Sequence, residues 1–409
     1  DDIRWITGDH GHGPVHAPGW LRNDRGFIFE KSPGYAFFLA IFHTVRLERL
    51  VNPLLVFLSM ILMAVMLARP PGNRVFGVYA AILFGANPTL MILSGRTYMS
   101  DAASASMVAL GGLALLAAET GGSRRYYVLS GLILGFAVMT RYTNMIVLMA
   151  LPLYFAATGY IDLRTVRGWF RRFSEPGPWL VCAGAALPLV LQAAYNLVTP
   201  GGVLTTGYTF RMREDGISQF SLGYLGRNLL DEAPALLLGF PALVLYPFGI
   251  AALARRSPRT AAVSVLMVAS VFGLYILNAW ARTDHFSFTA RFYLPAAFGL
   301  ALGAAAALDT AVSKTAAYAA LVMIVSASLL FAGDFTRRYV LARTPMPRMG
   351  IIKSGPMMPG NGPDMRFRNG PEGPADDFQG PGGRFPDDPA GSPRSAPGGP
   401  EDSAPNDTR

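Results

Sequence analysis

The chain has 409 residues, 52% of them hydrophobic and 15% charged, with a mean hydropathy of +0.34. So apolar a chain cannot hide its hydrocarbon surface inside a water-soluble fold, which excludes the soluble enzyme classes. The formal net charge of +9 does not indicate nucleic acid, because the cations fall in alternate short loops and not on one face.

Residues 1–35 form a polar opening segment that begins with the adjacent carboxylates Asp1 and Asp2, with no initiating Met and no signal peptide visible in it. An upstream inserting helix is therefore expected to precede it. Asp9, His10, His12 and His16 follow, and three of the five histidines lie in this stretch. Their spacing could hold a metal ion. The stretch is rich in glycine and offers no ligand from a rigid element, so no cofactor is assigned, and a divalent ion stays only an open possibility. The segment ends in Phe29-Glu30-Lys31-Ser32-Pro33-Gly34-Tyr35. Residues 34–47 are too short to span a bilayer and carry His43 and Arg46, which predicts an interfacial helix.

A crossing needs about 20 apolar residues. Ten segments meet or approach that length, at 51–68, 76–94, 101–118, 126–140, 143–158, 178–198, 233–254, 260–280, 291–310 and 315–332. The chain reads as an all-α polytopic membrane protein. The fourth and fifth segments are short and meet at Thr140-Arg141-Tyr142, which predicts two tilted or partial spans joined by a polar turn. Cys182 lies alone in the sixth, so there is no disulfide framework.

Arg69, Arg74, Arg124, Arg125, Arg164, Arg167, Arg171, Arg172, Arg255, Arg256, Arg259 and Lys314 all occupy alternate loops. The positive-inside rule puts those loops in the cytoplasm. Residues 1–49, 95–100, 199–232, 281–290 and the tail after 333 are then outside, and ten crossings return the chain to its starting side. The predicted organisation is an outer loop with its interfacial helix (1–49), a membrane bundle (50–333) with a long outer loop at 199–232, and a tail (334–409). Residues 345–409 hold 14 of the 31 prolines and 12 of the 44 glycines, a composition that cannot bury enough apolar surface to order itself.

Several polar residues have two readings. Asp1 and Asp2 are solvated residues near a terminus or an acid pair with a chemical task. Asp101, at the start of a span, is a helix cap or a contact to substrate or donor phosphate. Arg141 is a snorkelling interfacial side chain or a phosphate contact, and Arg291 is a flanking charge or the same.

The order and spacing of these motifs resemble a family. Asp1-Asp2-Ile3-Arg4-Trp5, about 25 residues ahead of Phe29-Glu30-Lys31-Ser32-Pro33-Gly34-Tyr35, is similar to the first outer loop of GT-C superfamily glycosyltransferases. Protein O-mannosyltransferases and lipid A aminoarabinose transferases belong to this superfamily. Ser100-Asp101, Gly131 and Gly135 before Thr140-Arg141, Tyr195-Asn196 before Gly201-Gly202 and Thr206-Gly207-Tyr208, and Arg291-Phe292-Tyr293-Leu294-Pro295 resemble later motifs of the same superfamily. The resemblance covers roughly 1–333. It departs from the family where residues 6–26 are rich in Gly and His, where Gly201-Gly202-Val203 replaces Gly-x-Pro, and where no helix precedes Asp1.

The resemblance implies a GT-C-like bundle that takes a hexose or pentose from a polyprenyl-phosphate donor and transfers it, with inversion, to a glycan, lipid or protein acceptor. The reaction is expected on the outer face of a bacterial plasma membrane. It implies Asp1 or Asp2 as base, and Lys31, Asp101, Arg141, Tyr208, Arg211 and Arg291 as contacts to substrate or donor phosphate. A transporter or lipid flippase is the alternative. It would show paired halves or ionisable groups at mid-membrane depth, and the sequence has no internal repeat and carries its charges at the ends of spans.

Overall fold

A computed structural model describes residues 20–23, 26–29, 32–69, 73–95, 99–198, 202–206, 220–278 and 290–337. Apart from one small hairpin, the described residues are helical, as expected. The hairpin was not anticipated. It pairs β1 (Trp20–Asn23) antiparallel with β2 (Gly26–Phe29), two short runs in which aromatic and branched residues favour extended backbone. A helix is present where an interfacial one was expected, as α1 (Pro33–His43).

Next come α2 (Val51–Met66), α3 (Arg74–Gly85) and α4 (Pro88–Ser94). The expected single span over 76–94 is bent by 59° between α3 and α4. Asn87 explains the bend. It precedes Pro88, which disfavours helical backbone at residue 87, and its side chain instead accepts a hydrogen bond from the Leu90 amide at 2.9 Å.

Two helices, α5 (Asp101–Glu119) and α6 (Arg125–Thr140), form the following pair. The chain then breaks at Arg141, whose backbone is extended (φ −154°, ψ 113°), makes a short 3-10 turn at Tyr142–Asn144, and continues as α7 (Met145–Leu163). The break falls where the sequence placed it. However, α7 runs beyond the expected end at 158, so only α6 is short.

A short amphipathic helix, α8 (Val166–Phe173), leads into α9 (Pro176–Val198). Two further expectations need correction. The outer loop 199–232 is shorter than predicted, because α10 (Leu225–Gly239) begins within it. The span expected at 233–254 is broken at Phe240 and resumes as α11 (Tyr246–Arg256), since Pro241 cannot continue a helix from α10. The chain continues through α12 (Pro258–Ile276), a 3-10 segment at Arg291–Ala296 that runs into α13 (Ala297–Asp309), and α14 (Lys314–Phe335).

Seven helices among the described residues are long and apolar enough to cross a membrane, and the bent pair makes an eighth. Adding the short α6 and the broken α10–α11 unit recovers the ten predicted segments. The chain is an integral multi-pass membrane protein.

Two segments occupy the centre. Asp101–Glu119 and Arg291–Asp309 are each 89% buried, against 28% for Glu48–Met66 and 17% for α14. Lipid supplies no hydrophobic drive between helices, so close packing of small residues and cross-helix hydrogen bonds must hold them. At Gly112 in α5, an added Cβ would meet the Phe298 ring at 2.6 Å and the Met267 methyl at 2.7 Å. Ser130 on α6 donates to the Gly111 carbonyl at 2.8 Å, and Ser264 on α12 donates to that of Gly299 at 2.7 Å. The Gly131…Gly135 motif serves the same end. A Cβ on Gly131 would overlap the Val181 carbonyl of α9, and one on Gly184 would overlap the Val128 carbonyl of α6.

At the opposite end of α5 from Asp101 lies a buried charge cluster. The Glu119 carboxylate, fully enclosed, pairs with Arg172 of α8, accepts from the Tyr127 hydroxyl at 2.9 Å, and has Arg259 Nε at 3.7 Å. Arg172 also pairs with Glu175, while Arg259 bonds Asp162 at 2.9 Å. Burial alone would lower the Arg172 pKa, but Glu119, Tyr127 and Glu175 outweigh it and hold the guanidinium above its ordinary value. Arg172 and Arg259, read from the sequence as topology markers, therefore tie α5, α7, α8 and α12 together.

Candidate active site

The opposite end of the central helix gathers three of the predicted site residues. Asp101 stands in the first turn of α5, where the helix dipole favours a carboxylate. The preceding Ser100 makes no side-chain capping bond. Asp101 does not serve as a cap either: its carboxylate accepts a hydrogen bond from Arg141 Nη1 in an ion pair. The side chains are 7% and 10% exposed, so the pair is dry. The snorkelling alternative does not describe Arg141, because a snorkelling arginine would reach water.

The position of Arg141 is fixed by its neighbours. Its amide still donates to the Ala137 carbonyl at 2.9 Å as the last bond of α6. Asn144, closing the 3-10 turn, donates to the same carbonyl at 2.8 Å and to Ser104 Oγ of α5 at 2.6 Å. The guanidinium carbon of Arg141 also stands 5.2 Å from the Phe292 ring centroid, and that of Arg291 stands 5.0 Å from the same centroid. One aromatic ring thus serves two cations, each within cation–π range. Tyr275 packs on that ring at 5.2 Å, and Tyr293 lies 5.6 Å from Tyr275.

The end of the opening segment docks against the same region. Ser32 donates to the Met139 carbonyl, two residues before Arg141. Gly34 is required next to it, because a Cβ there would stand 2.5 Å from the Met139 carbonyl carbon and oxygen. Tyr35 is buried and hydrogen-bonded to Asn52, and Asn52 donates to the Met99 carbonyl at 2.9 Å, two residues before Asp101. Burial pushes the Tyr35 phenol up to about 12, with the Asn52 bond acting in the other direction. Tyr35 is therefore a neutral structural group at working pH and not a proton carrier.

Sequence reasoning placed Asp101, Arg141 and Arg291 on one side but did not pair them, and it missed Phe292, Asn144, Ser32 and Asn52. A signal for the pair existed. Asp101 opens one helix and Arg141 ends the next, so an antiparallel hairpin returns them to the same level. Asp1, Asp2, Lys31, Tyr208, Arg211, Asp9, His10, His12 and His16 lie outside the described residues. Among the described residues no group of three or more His, Cys, Asp or Glu side chains could hold a metal ion.

Residues 30–195 match the family described as dolichyl-phosphate-mannose-protein mannosyltransferase. The fold is similar to ArnT from Cupriavidus metallidurans bound to undecaprenyl phosphate, with a TM-score of 0.52 and 15% identity over 78% of this chain and 57% of that one. It is also similar to ArnT from the same organism in the apo state, with a TM-score of 0.50 and 15% identity over 83% of this chain and 60% of that one. The chain thus spans less than two thirds of the length of the ArnT chains. None of the curated proteins compared matches it. Residues 30–195 are thus similar in sequence to the mannosyltransferase family, and the helical fold is similar to that of ArnT.

Proposed function

We propose that the protein is a membrane glycosyltransferase that moves a hexosyl or pentosyl group from a polyprenyl-phosphate donor to an acceptor on the extracytoplasmic face. The observation that carries this reading is the dry Asp101–Arg141 pair with Arg141 and Arg291 sharing Phe292, set where the opening segment docks. Two guanidiniums beside one apolar ring suit a phosphate carried on a hydrocarbon chain. The cations offset the charge that develops on the leaving group, and the ring and surrounding aromatics keep water out. The match to the mannosyltransferase family supports the reaction class, and the undecaprenyl phosphate bound to ArnT supports the lipid class.

The reaction is a single displacement with inversion. The acceptor oxygen or nitrogen attacks the anomeric carbon as the bond from that carbon to the phosphate oxygen breaks. The acceptor proton passes to Asp1 or Asp2, and polyprenyl phosphate leaves with the bonding pair. Lys31, Arg141, Tyr208, Arg211 and Arg291 hold the donor phosphate, and Asp101 keeps Arg141 aimed at it. The basic loops at the Glu119 end of the bundle favour the cytoplasm, which turns the Asp101 end outward. The cell would be bacterial and the membrane its plasma membrane.

Against the transporter reading, the buried charged residues among those described (Asp101, Glu119 and Arg172) sit at helix ends and not at mid-depth. The test is transfer from labelled polyprenyl-phosphate sugars by membranes containing the full-length protein and its Asp1→Asn, Asp2→Asn and Arg141→Met variants. Loss of one aimed charge is expected to cost on the order of 100-fold or more in rate. Unchanged transfer in both aspartate variants removes the loop base from the mechanism.

A further inference from the structure

Two amides on one face of α9 make a hydrogen-bonded chain that the reaction as outlined does not use. The buried side chains of Gln192 and Asn196 lie one helical turn apart. Ser32 Oγ is 3.2 Å from Gln192 Oε1 and shares its single proton between that atom and the Met139 carbonyl. Gln192 Nε2 donates to Asn196 Oδ1 at 2.8 Å and to the Tyr142 hydroxyl at 3.1 Å. The Tyr142 hydroxyl donates to the same Asn196 oxygen at 3.1 Å. Asn196 Nδ2 then donates to the Val203 carbonyl at 3.1 Å, and the Asn196 carbonyl accepts from the Gly202 amide at 3.3 Å.

The direction of this chain is not arbitrary. Turning the Asn196 amide over would set its oxygen against the Val203 carbonyl, and turning that of Gln192 would leave Asn196 Oδ1 facing another oxygen. Each amide therefore has one orientation, and a buried hydrogen-bonded network of this kind holds a single geometry. It joins three pieces of chain: the exit of the opening segment at Ser32, the turn that follows Arg141, and the start of the segment after α9 at Gly202–Val203. On the function proposed above, those are the pieces that lead to Asp1 and Asp2, to Arg141, and to Tyr208 and Arg211.

We infer that Gln192 and Asn196 are positioning residues that hold the exit of the opening segment at Ser32, the Arg141 turn and Gly202–Val203 after α9 in one register. The inference rests on the proposed function for its purpose, but its geometry can be tested alone. Spin labels on cysteines at exposed Ala36 and Leu204, in a Cys182→Ser background, report the distance between the first and third pieces.

Gln192→Met keeps the volume of the side chain and removes its polar atoms, and it is expected to broaden the distance distribution at least twofold. Asn196→Asp replaces the donor to the Val203 carbonyl with a carboxylate oxygen that faces it, and should broaden the distribution as well. Ser32→Ala, a smaller change that spares the helices, provides the same test should either variant fold poorly. Thr310→Val, at the other end of the bundle, should leave the distribution unchanged. A distribution as narrow in Gln192→Met and Ser32→Ala as in the parent overturns the inference.

Where transfer is measured in parallel, a tenfold or greater fall in kcat with KM little changed supports a positioning role. A broadened distribution with unchanged kcat overturns that role. Absence of transfer in the parent would overturn the proposed function, while the label distances would still decide whether the tie exists.

Discussion

The Asp101–Arg141 pair gives the sharpest energetic test. Both side chains are at least nine-tenths buried, so water supplies little screening. Removing one partner of such a pair leaves a buried charge uncompensated, at a cost of about 3–5 kcal/mol. An exposed pair costs about 0–1 kcal/mol. Arg141→Met keeps the length and apolar stem of the side chain while stranding the Asp101 carboxylate, so it should fall in the upper range. Asp101→Asn still accepts a hydrogen bond from Arg141, and Phe292 still faces the cation at 5.2 Å. Its cost should be smaller, on the order of 2–3 kcal/mol, because a cation–π contact away from water contributes up to about 2 kcal/mol.

The double variant removes both charges and should cost far less than the sum of the singles, giving a coupling energy of about 3 kcal/mol. Reversible unfolding in mixed detergent micelles reads all four corners of the cycle. A coupling below about 0.5 kcal/mol would mean that the pair behaves as a solvated one and that Arg141 is not held by Asp101.

At the other end of α5, Glu119→Gln should cost about 3 kcal/mol by removing the enclosed anion that Arg172 and Arg259 share, while Glu175→Gln, whose side chain is 40% exposed, should cost less than about 1 kcal/mol. Both are read in the same unfolding assay. Gly131→Val forces α6 away from α9, because even a Cβ overlaps the Val181 carbonyl. Overpacking of this kind costs about 1–3 kcal/mol or more, visible as a lowered unfolding midpoint. Gly34→Ala pushes the start of α1 off Met139. It should lower transfer more than stability, because a displacement of about 1 Å at a reacting group can cost on the order of 100-fold. Comparing kcat with the unfolding midpoint separates the two effects.

How much of this was legible in the sequence depends on which period carried the signal. Length and hydropathy revealed the helices, and the cationic loops gave their alternation. Helix α1 and the break at Arg141 followed from interruptions in apolar runs. What hydropathy could not reveal was bending inside an apolar run. The kink at Asn87 and the break at Phe240 come from Pro88 and Pro241, which a window average counts as two neutral residues. Burial among the helices was equally hidden. α5 is lined with Ala, Ser and Gly and is less hydrophobic than α2, yet α5 is central and α2 faces lipid. In a bilayer the most apolar helix belongs outside, and small residues mark the inside. For the candidate site, sequence supplied the residue types and their gathering at one end of the bundle. Pairing needed the third dimension, since Asp101 and Arg141 are 40 residues apart and Phe292 joins them from much further along the chain.

The two ends of α5 also differ in a way that bears on function. Glu119 is held by Arg172, Arg259 and Tyr127 together, and the two arginines are further engaged by Glu175 and Asp162. Among the described residues Asp101 has Arg141 as its ion-pair partner, and the rest of that guanidinium lies near an aromatic ring and a second arginine. If the Asp101–Arg141 pair is a phosphate site, an added anion can replace the lost carboxylate as the partner of Arg141, whereas at the other end Arg172 and Arg259 keep Glu175 and Asp162 as partners. Polyprenyl phosphate should therefore restore stability to Asp101→Asn but not to Glu119→Gln. A ligand at 100 times its Kd stabilises by about 2.7 kcal/mol, close to the whole loss expected for Asp101→Asn. Unfolding of both variants with and without polyprenyl phosphate, using a neutral polyprenol of the same length as control, measures the difference. Equal rescue of both, or rescue by the neutral polyprenol, would assign the stabilisation to the hydrocarbon chain and take the phosphate away from Arg141.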